Sequence, residues 1–300
     1  MSKKFELTSE FLVNVFGVKL FRIKALASFS DVTIGDLGGF VEKEDNFSAE
    51  AQISGDAWIY GDAQISGNTW ISGNAQISGD AQIYGDAQIS GNAQISGNTW
   101  ISGKAQISGD ARIYGDARIS DNAWIYGNAQ IYGDAQISDN AWIYGNTWVS
   151  GDAWIYGDAQ IYGNAQIYGD AQIYGDARIY GNAQISGNTW VSGDAWIYGD
   201  AQIYGDAWIS GDARISGDAR ISGDARISGD AQLIWFSKVG SEEGTLTVFK
   251  AEAGLKVTRG CFLGTDVEFL AAVDIKHGAD SKIGKEYHLL IEVARSRLGG

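Results

Sequence analysis

From Ala51 to Asp230 the chain repeats one six-residue pattern of apolar and polar positions thirty times, without insertion or deletion. The phrase is A-[Q/W/R]-I-[S/Y]-G-[D/N]. Thr replaces Ala at Thr69, Thr99, Thr147 and Thr189, and Val replaces Ile at Val149 and Val191. An unbroken short period marks a solenoid, in which each unit buries its apolar side only against its neighbours. A period of six fits neither the 3.6-residue turn of an α-helix nor the Gly-every-third rule of collagen. The β-branched Ile predicts an inward-pointing residue on a short strand, so the residues on either side of it face outward. Gly and Asp/Asn then supply a turn, and Ala or Thr is small enough for the inside of a corner. One hexad is one short strand plus one corner.

The flanks break the period. At the N-terminal end, Lys3 to Thr8 and Val18 to Leu26 read as strands, and Gly35, Gly38 and Gly39 as an irregular turn. Val41 and Phe47 then fall in step with the Ile positions, because 41, 47 and 53 are six apart. A cap is expected there, since an uncovered end of a parallel solenoid invites edge-to-edge association. Beyond the repeats, the run Leu233, Ile234, Trp235 and Phe236 reads as a plug over the final coil. Thr245 to Lys250 and Leu255 to Gly260 read as a hairpin. Thr265 and Glu268 form a capping-box start for a helix that Gly278 can close. A second helix is expected over Lys285 to Leu298, with Leu289, Leu290, Val293 and Leu298 on its apolar face.

The aliphatic residue followed four places later by a small one, as in Ile59 and Ala63, resembles the hexapeptide-repeat family that builds left-handed parallel β-helices. The resemblance implies three hexads per triangular coil. At about 4.8 Å per coil the array becomes a prism roughly 45–50 Å long. The expected fold is therefore an all-β solenoid, a left-handed parallel β-helix over 51–232. It carries an N-terminal cap over 1–50 and a C-terminal plug with a small α+β domain over 233–300. The opening F-E-L-T, R-I-K-A-L and G-D-L-G-G-F, with the closing G-T-L-T-V-F and V-T-R-G-C-F, also resemble a group of bacterial and phage-associated hexapeptide-repeat proteins. That resemblance implies an architecture and a setting, not a reaction.

Charge narrows the partners. The net charge is −15, and the repeats hold twenty Asp against seven Lys and Arg. An acidic rod repels phosphate backbones, so nucleic acid is not an expected partner. Lys3 and Lys4 precede no long apolar run, so no signal peptide, membrane span or membrane partner is expected. A cytoplasmic location is expected, and the resemblance to phage-associated proteins implies a virion-associated one as the alternative. Cys261 is the one cysteine, which excludes an intrachain disulfide.

Enzymes of the resembled family are mostly acyltransferases with a catalytic His in or beside the coils. Here the array has no His and no excursion loop, since His277 and His288 both follow it. The carbonic anhydrases of that fold bind zinc through three His, and two cannot supply that set. The remaining catalytic candidates are Cys261 with His277, and Glu268 beside them, as a thiol–imidazole arrangement. Against them, the apolar G-C-F context favours a buried, inert thiol, and His277 at a helix end complements the helix dipole. No cofactor is expected.

Three hexads per coil make residues eighteen apart stack. Asp116, Asp134, Asp152 and Asp170 then form one corner column, and Asp158, Asp176, Asp194, Asp212 and Asp230 another. Divalent cations would relieve the repulsion in such columns. The competing reading is that Asp, like Asn in the same slot, serves the turn and stays solvated. Tyr126, Tyr144, Tyr162, Tyr180 and Tyr198 form an aromatic column, with Trp124, Trp142 and Trp196 beside it. Such a strip is either a partner surface or a ladder that strengthens its own sheet. The partners considered are another copy of the chain, another protein and a polysaccharide. Ice is set aside, because the four Thr fall on three different faces. Arg214, Arg220 and Arg226, one per face of the last coil, are expected to seat the C-terminal domain by pairing with its carboxylates.

The near-invariant hexads, with departures from the repeat confined to the two ends, favour a non-catalytic structural or interaction scaffold that self-associates, in a phage- or prophage-associated setting. A hexapeptide-repeat acyltransferase and a carbohydrate-binding rod are the alternatives.

Overall fold

The structure, a computed structural model, describes residues 4–28, 32–48, 51–229 and 232–299. Lys3 and Asp230 lie outside the described residues. The chain divides into two compact units, residues 1–157 and 158–300.

In the first unit, each hexad from Gln52 to Ile155 forms one strand, two residues long except at Trp124–Gly127 and Trp142–Gly145. Every third strand pairs in parallel at a spacing of eighteen residues, as with Gln88 and Gln106. Three faces result: face one carries Ile53 to Ile143, face two Ile59 to Val149 and face three Ile65 to Ile155. The Ile, Val and Ala side chains point inward, nearly all at 0–2% exposure, and each coil hydrogen-bonds the next through backbone groups such as Gln106 N to Ala123 O at 2.9 Å. Thr is accommodated in the Ala slot at Thr69 and Thr99 by a hydroxyl that bonds back locally, to Ser66 O at 2.6 Å and Ser96 O at 2.8 Å. Thr147 Oγ1, in contrast, is buried without a partner.

Glycine is needed at the corner for two reasons at once. At Gly109 φ is +74°, and a Cβ would lie 2.8 Å from both the N and the O of Gly127 in the next coil. Two coils nevertheless carry Asp in that slot: Asp121 and Asp139 both hold φ near +58°. A left-handed non-glycine residue costs roughly 1–2 kcal/mol. This corrects the expectation that the array keeps its departures for the ends.

The opening of the chain forms β1 (Phe5–Val13) and β2 (Lys19–Ala25), an antiparallel hairpin, followed by β3 (Leu37–Val41). β3 is the true start of the solenoid. Val41 lies opposite Ile59, and Phe47 bridges Ile65, as their spacing implies. Gly38 and Gly39 sit inside β3 rather than in a turn, because a Cβ on Gly38 would stand only 2.3 Å from Ile53 O. Buried Asn46 donates from its amide to Gly61 O and Ala63 O, closing the corner of the first coil.

The second unit contains twelve further strands, Gln160–Ile161 to Arg226–Ile227, again pairing every third one in parallel. A four-stranded antiparallel sheet follows, made of Leu233–Val239, Gly244–Ala251, Gly254–Arg259 and Phe262–Thr265. Two helices complete the chain, α1 (Asp266–His277) and α2 (Lys282–Leu298). Leu246, Val248 and Val257 meet Phe269, Tyr287 and Ile291 of the helices in one core. Thr265 and Glu268 do form the capping box. The buried face of α2 is Tyr287, Ile291, Ala294 and Leu298, while Leu289 and Val293 are exposed. The expected face was displaced because the sheet lies on the Tyr287 side.

The ladder ends on this sheet. Arg220 N donates to Thr247 Oγ1 at 3.0 Å, and Thr258 Oγ1 donates to Arg220 O. Two threonine hydroxyls thus engage the backbone groups that a further coil would have bonded. The central hairpin, more than the Leu233–Phe236 run, covers the strand at Arg220. The ion pair across this junction runs opposite to expectation: Lys256 of the sheet pairs with Asp224 of the coil. Arg226 instead donates to the coil carbonyls of Asp206 and Ala225 and covers the Trp208 ring, and Arg214 lies over Trp196.

Candidate functional site

Face one of the first unit holds Trp124, Tyr126, Trp142 and Tyr144. Its outward strand positions read Gln52/Ser54, Trp70/Ser72, Gln88/Ser90, Gln106/Ser108, Trp124/Tyr126 and Trp142/Tyr144. None is charged, whereas face two carries Arg112 and face three Arg118. The Trp124 and Trp142 rings stack at 4.9 Å and 2°, and Tyr126 and Tyr144 at 4.9 Å and 1°. Rings lying flat in one plane cannot approach that closely, because their edges would fall well inside the ~3.5–4.0 Å carbon contact distance. They therefore stand against one another and turn their edges outward. Each such pair contributes about 0.5–1.5 kcal/mol beyond its burial.

Amide ladders flank the rings, with Asn122 donating to Asn140 at 3.1 Å and Asn128 to Asn146 at 2.9 Å. The two left-handed aspartates adjoin this patch. Asp139 Oδ2 accepts from Gly157 N at 3.0 Å and Asp121 Oδ2 from Ser120 Oγ at 3.1 Å. The segment S-D-N-A-W-I-Y-G-N occurs twice, at 120–128 and 138–146. The eighteen-residue spacing already pointed to these four aromatics, whereas the duplication was the available signal for Asp121 and Asp139, which reading the hexads as equivalent passed over.

In the second unit, Tyr162, Tyr180 and Tyr198 form a stack of their own at 4.8 and 5.1 Å. Trp196 stands beside it between the guanidinium groups of Arg178 and Arg214, 5.0 and 5.6 Å from its ring centre. Here the chain's own cations cover the indole.

The corner carboxylates behave as columns. Asp116 accepts from the Asn98 amide at 2.8 Å, so part of its column is an amide–carboxylate ladder. Burial, a hydrogen bond with Asp194 and the charges of Asp194 and Asp158 push the Asp176 carboxyl above its ordinary range. Among the described residues, no three His, Cys, Asp or Glu side chains group so as to hold a metal ion.

Cys261 and His277 line one cavity of about 230 Å³ in the C-terminal region, together with Arg259, Lys276 and Tyr287. The thiol is exposed, contrary to the buried thiol expected from its apolar neighbours, because it sits in the tight turn between Arg259 and Phe262. Glu268 does not line the cavity. Its carboxylate is engaged by Thr265 N at 2.8 Å and Thr265 Oγ1 at 3.0 Å, which hold it below its ordinary range. Imidazole His288 pairs instead with Asp274 at 2.7 Å.

Parallel strands of two residues, recurring every six and pairing every eighteen, define a β-solenoid repeat protein. Nine stretches of the chain match the family model described as the YdcK beta solenoid repeat. They are residues 51–67, 87–103, 105–117, 111–127, 117–133, 135–151, 171–184, 201–217 and 219–233. The chain is similar to that family over these stretches, all of which fall in or at the end of the repeat array. No curated protein matches the chain at a significant level.

Proposed function

We propose that the protein is a non-catalytic structural or interaction scaffold that associates with a second copy of itself through face one of its first unit. The observation that carries this reading is the composition of that face: six paired strands present only Gln, Ser, Trp and Tyr. Two chains of net charge −15 repel one another, and an uncharged face is where they approach at least cost. Interface cores are depleted of charge and enriched in Tyr and Trp. Edge-out stacking also favours a protein partner over a polysaccharide, whose sugar rings need open aromatic faces. A phage- or prophage-associated setting belongs to the proposal and is supported by the resemblance of the flanking segments.

Sedimentation equilibrium tests the reading on the wild type and on the double variant Trp142→Ser/Tyr144→Ser. The wild type is expected above the 32.2 kDa of one chain. The variant, with its far-ultraviolet spectrum unchanged, is expected to associate at least about tenfold more weakly, equivalent to ~1.4 kcal/mol. A single-chain mass for the wild type at every concentration overturns self-association. Glycan binding abolished by the same variant replaces it with a carbohydrate-binding rod.

A further inference from the structure

The cavity beside Cys261 contains a cation that its own surroundings do not fully neutralise. Arg259 is largely buried, with its side chain 13% exposed. Its plane is fixed by Nε donating to Tyr287 Oη and Nη2 to Val239 O, both at 3.0 Å. The guanidinium also lies against Gly244, where any side chain would collide with Nη1. Among the described residues its ion-pair partner is Glu242, at 3.9 Å and 72% exposed, which is beyond hydrogen-bond reach. Fixing a charge away from water is costly unless a partner meets it.

The other groups lining the cavity add to this. Lys276 and His277 project from the last turn of α1, and neither has an ion-pair partner among the described residues. They complement the C-terminal end of the helix, which explains their own presence but not that of Arg259. The opposite wall is apolar, built from Phe262, Phe269, Ala272 and Val273. At about 230 Å³ the cavity is below the roughly 300–1,000 Å³ of drug-sized sites.

We infer that this cavity binds a small carboxylic acid with an apolar body. Its carboxylate meets Arg259 and Lys276 and displaces the loose contact with Glu242, while the body lies against Phe262, Phe269 and Val273. Carboxylate is preferred to a bulkier anion because the cavity is small and Nη1 is the guanidinium nitrogen without a hydrogen bond among the described residues.

Cys261 is at once the only thiol and a lining residue, so it reports on the site directly. Iodoacetate and iodoacetamide react with it in the same way. The sulfur forms a bond to the CH₂ carbon, iodide leaves with the electron pair of the broken C–I bond, and the thiol proton passes to buffer. The two reagents differ in the carboxylate alone. At fixed ionic strength, the iodoacetate-to-iodoacetamide rate ratio in the folded protein is expected to be at least about tenfold above that of the same chain in urea. Benzoate is expected to slow the iodoacetamide reaction saturably. Lys276→Gln, a surface change that leaves the core intact, is expected to lower the ratio several-fold. A ratio equal to that of the unfolded chain overturns the inference. So does a raised ratio without protection by benzoate, since that reports only a positive field.

Discussion

In the coils, like meets like. Ile125 stands opposite Ile143, Trp124 opposite Trp142 and Gly109 against Gly127, so each contact is a copy of its neighbour's. In the C-terminal sheet and helices no contact repeats. Phe269 meets Phe262 and Tyr287 edge-on at 5.2 Å, Arg295 pairs with Asp266, and His288 with Asp274. The coils obtain stability from a short motif that holds wherever it is placed. The C-terminal region depends on partners brought from distant positions, and two of these, Thr247 and Thr258, also stop the ladder. A self-complementary edge has no intrinsic end, so the terminating residues must come from outside the repeat.

The contrast breaks most visibly at glycine. Gly109→Ala forces a Cβ into the backbone of the next coil as well as into a left-handed conformation. It is expected to cost about 2–4 kcal/mol. Gly260→Ala, at φ +59° with nothing within 4 Å, is expected to cost only about 1 kcal/mol. Urea midpoints for the two variants measure the difference, and equal losses would show that coil-to-coil crowding does not matter.

Threonine gives the intermediate effect. Thr247→Val leaves Arg220 N without its acceptor, at an expected cost of about 1–3 kcal/mol, and increases end-to-end association seen by light scattering. Thr189→Ala restores the residue the repeat uses elsewhere but removes a buried hydroxyl bonded to Ser186 O, at an expected cost of about 0.5–1.5 kcal/mol.

The smallest effect is electrostatic, and its sign differs between the regions. The Asp176 carboxyl is raised by burial and by its column neighbours. The stability it contributes is present below its unfolded-state value and lost as pH rises through the folded-state one. Asp176→Asn is therefore expected to stabilise the protein at neutral pH, with the gain vanishing in acid. The Asp224 carboxyl is lowered chiefly by its hydrogen bond from Lys256. Its contribution is present above the unfolded-state value and lost as pH falls through the depressed one. Asp224→Asn is expected to destabilise at neutral pH, again with no difference in strong acid. Thermal midpoints across pH 3 to 8 read both signs.

Much of the fold was legible because a hexad's chemistry is complete within six residues. Ile must face in and Gly must turn. The capping box at Thr265 was legible for the same reason, since its partners are three residues apart. The eighteen-residue register came instead from the resemblance to the hexapeptide-repeat family, which implies three hexads per coil. Legibility failed where a residue answers to something far along the chain. Gly38 reads as a turn until Ile53 O is placed beside it, and Leu289 reads as core until the sheet is found on the Tyr287 side of α2. Exposure of Cys261 depends on a hairpin turn that its apolar neighbours do not announce.

The sequence alone determined the repeating interior, one inward strand and one corner per hexad, because those needs are met within six residues. The register and the aromatic columns rested on the three hexads per coil that the resemblance implies. Only the tertiary structure decided how the ladder is stopped and which charges meet there, with Lys256 on Asp224 rather than arginine on a carboxylate of the sheet. It also decided that Arg259, Lys276, His277 and Cys261 border one space. These are long-range juxtapositions, made when a non-repeating segment folds back on itself and onto the last coil, and no local pattern encodes them.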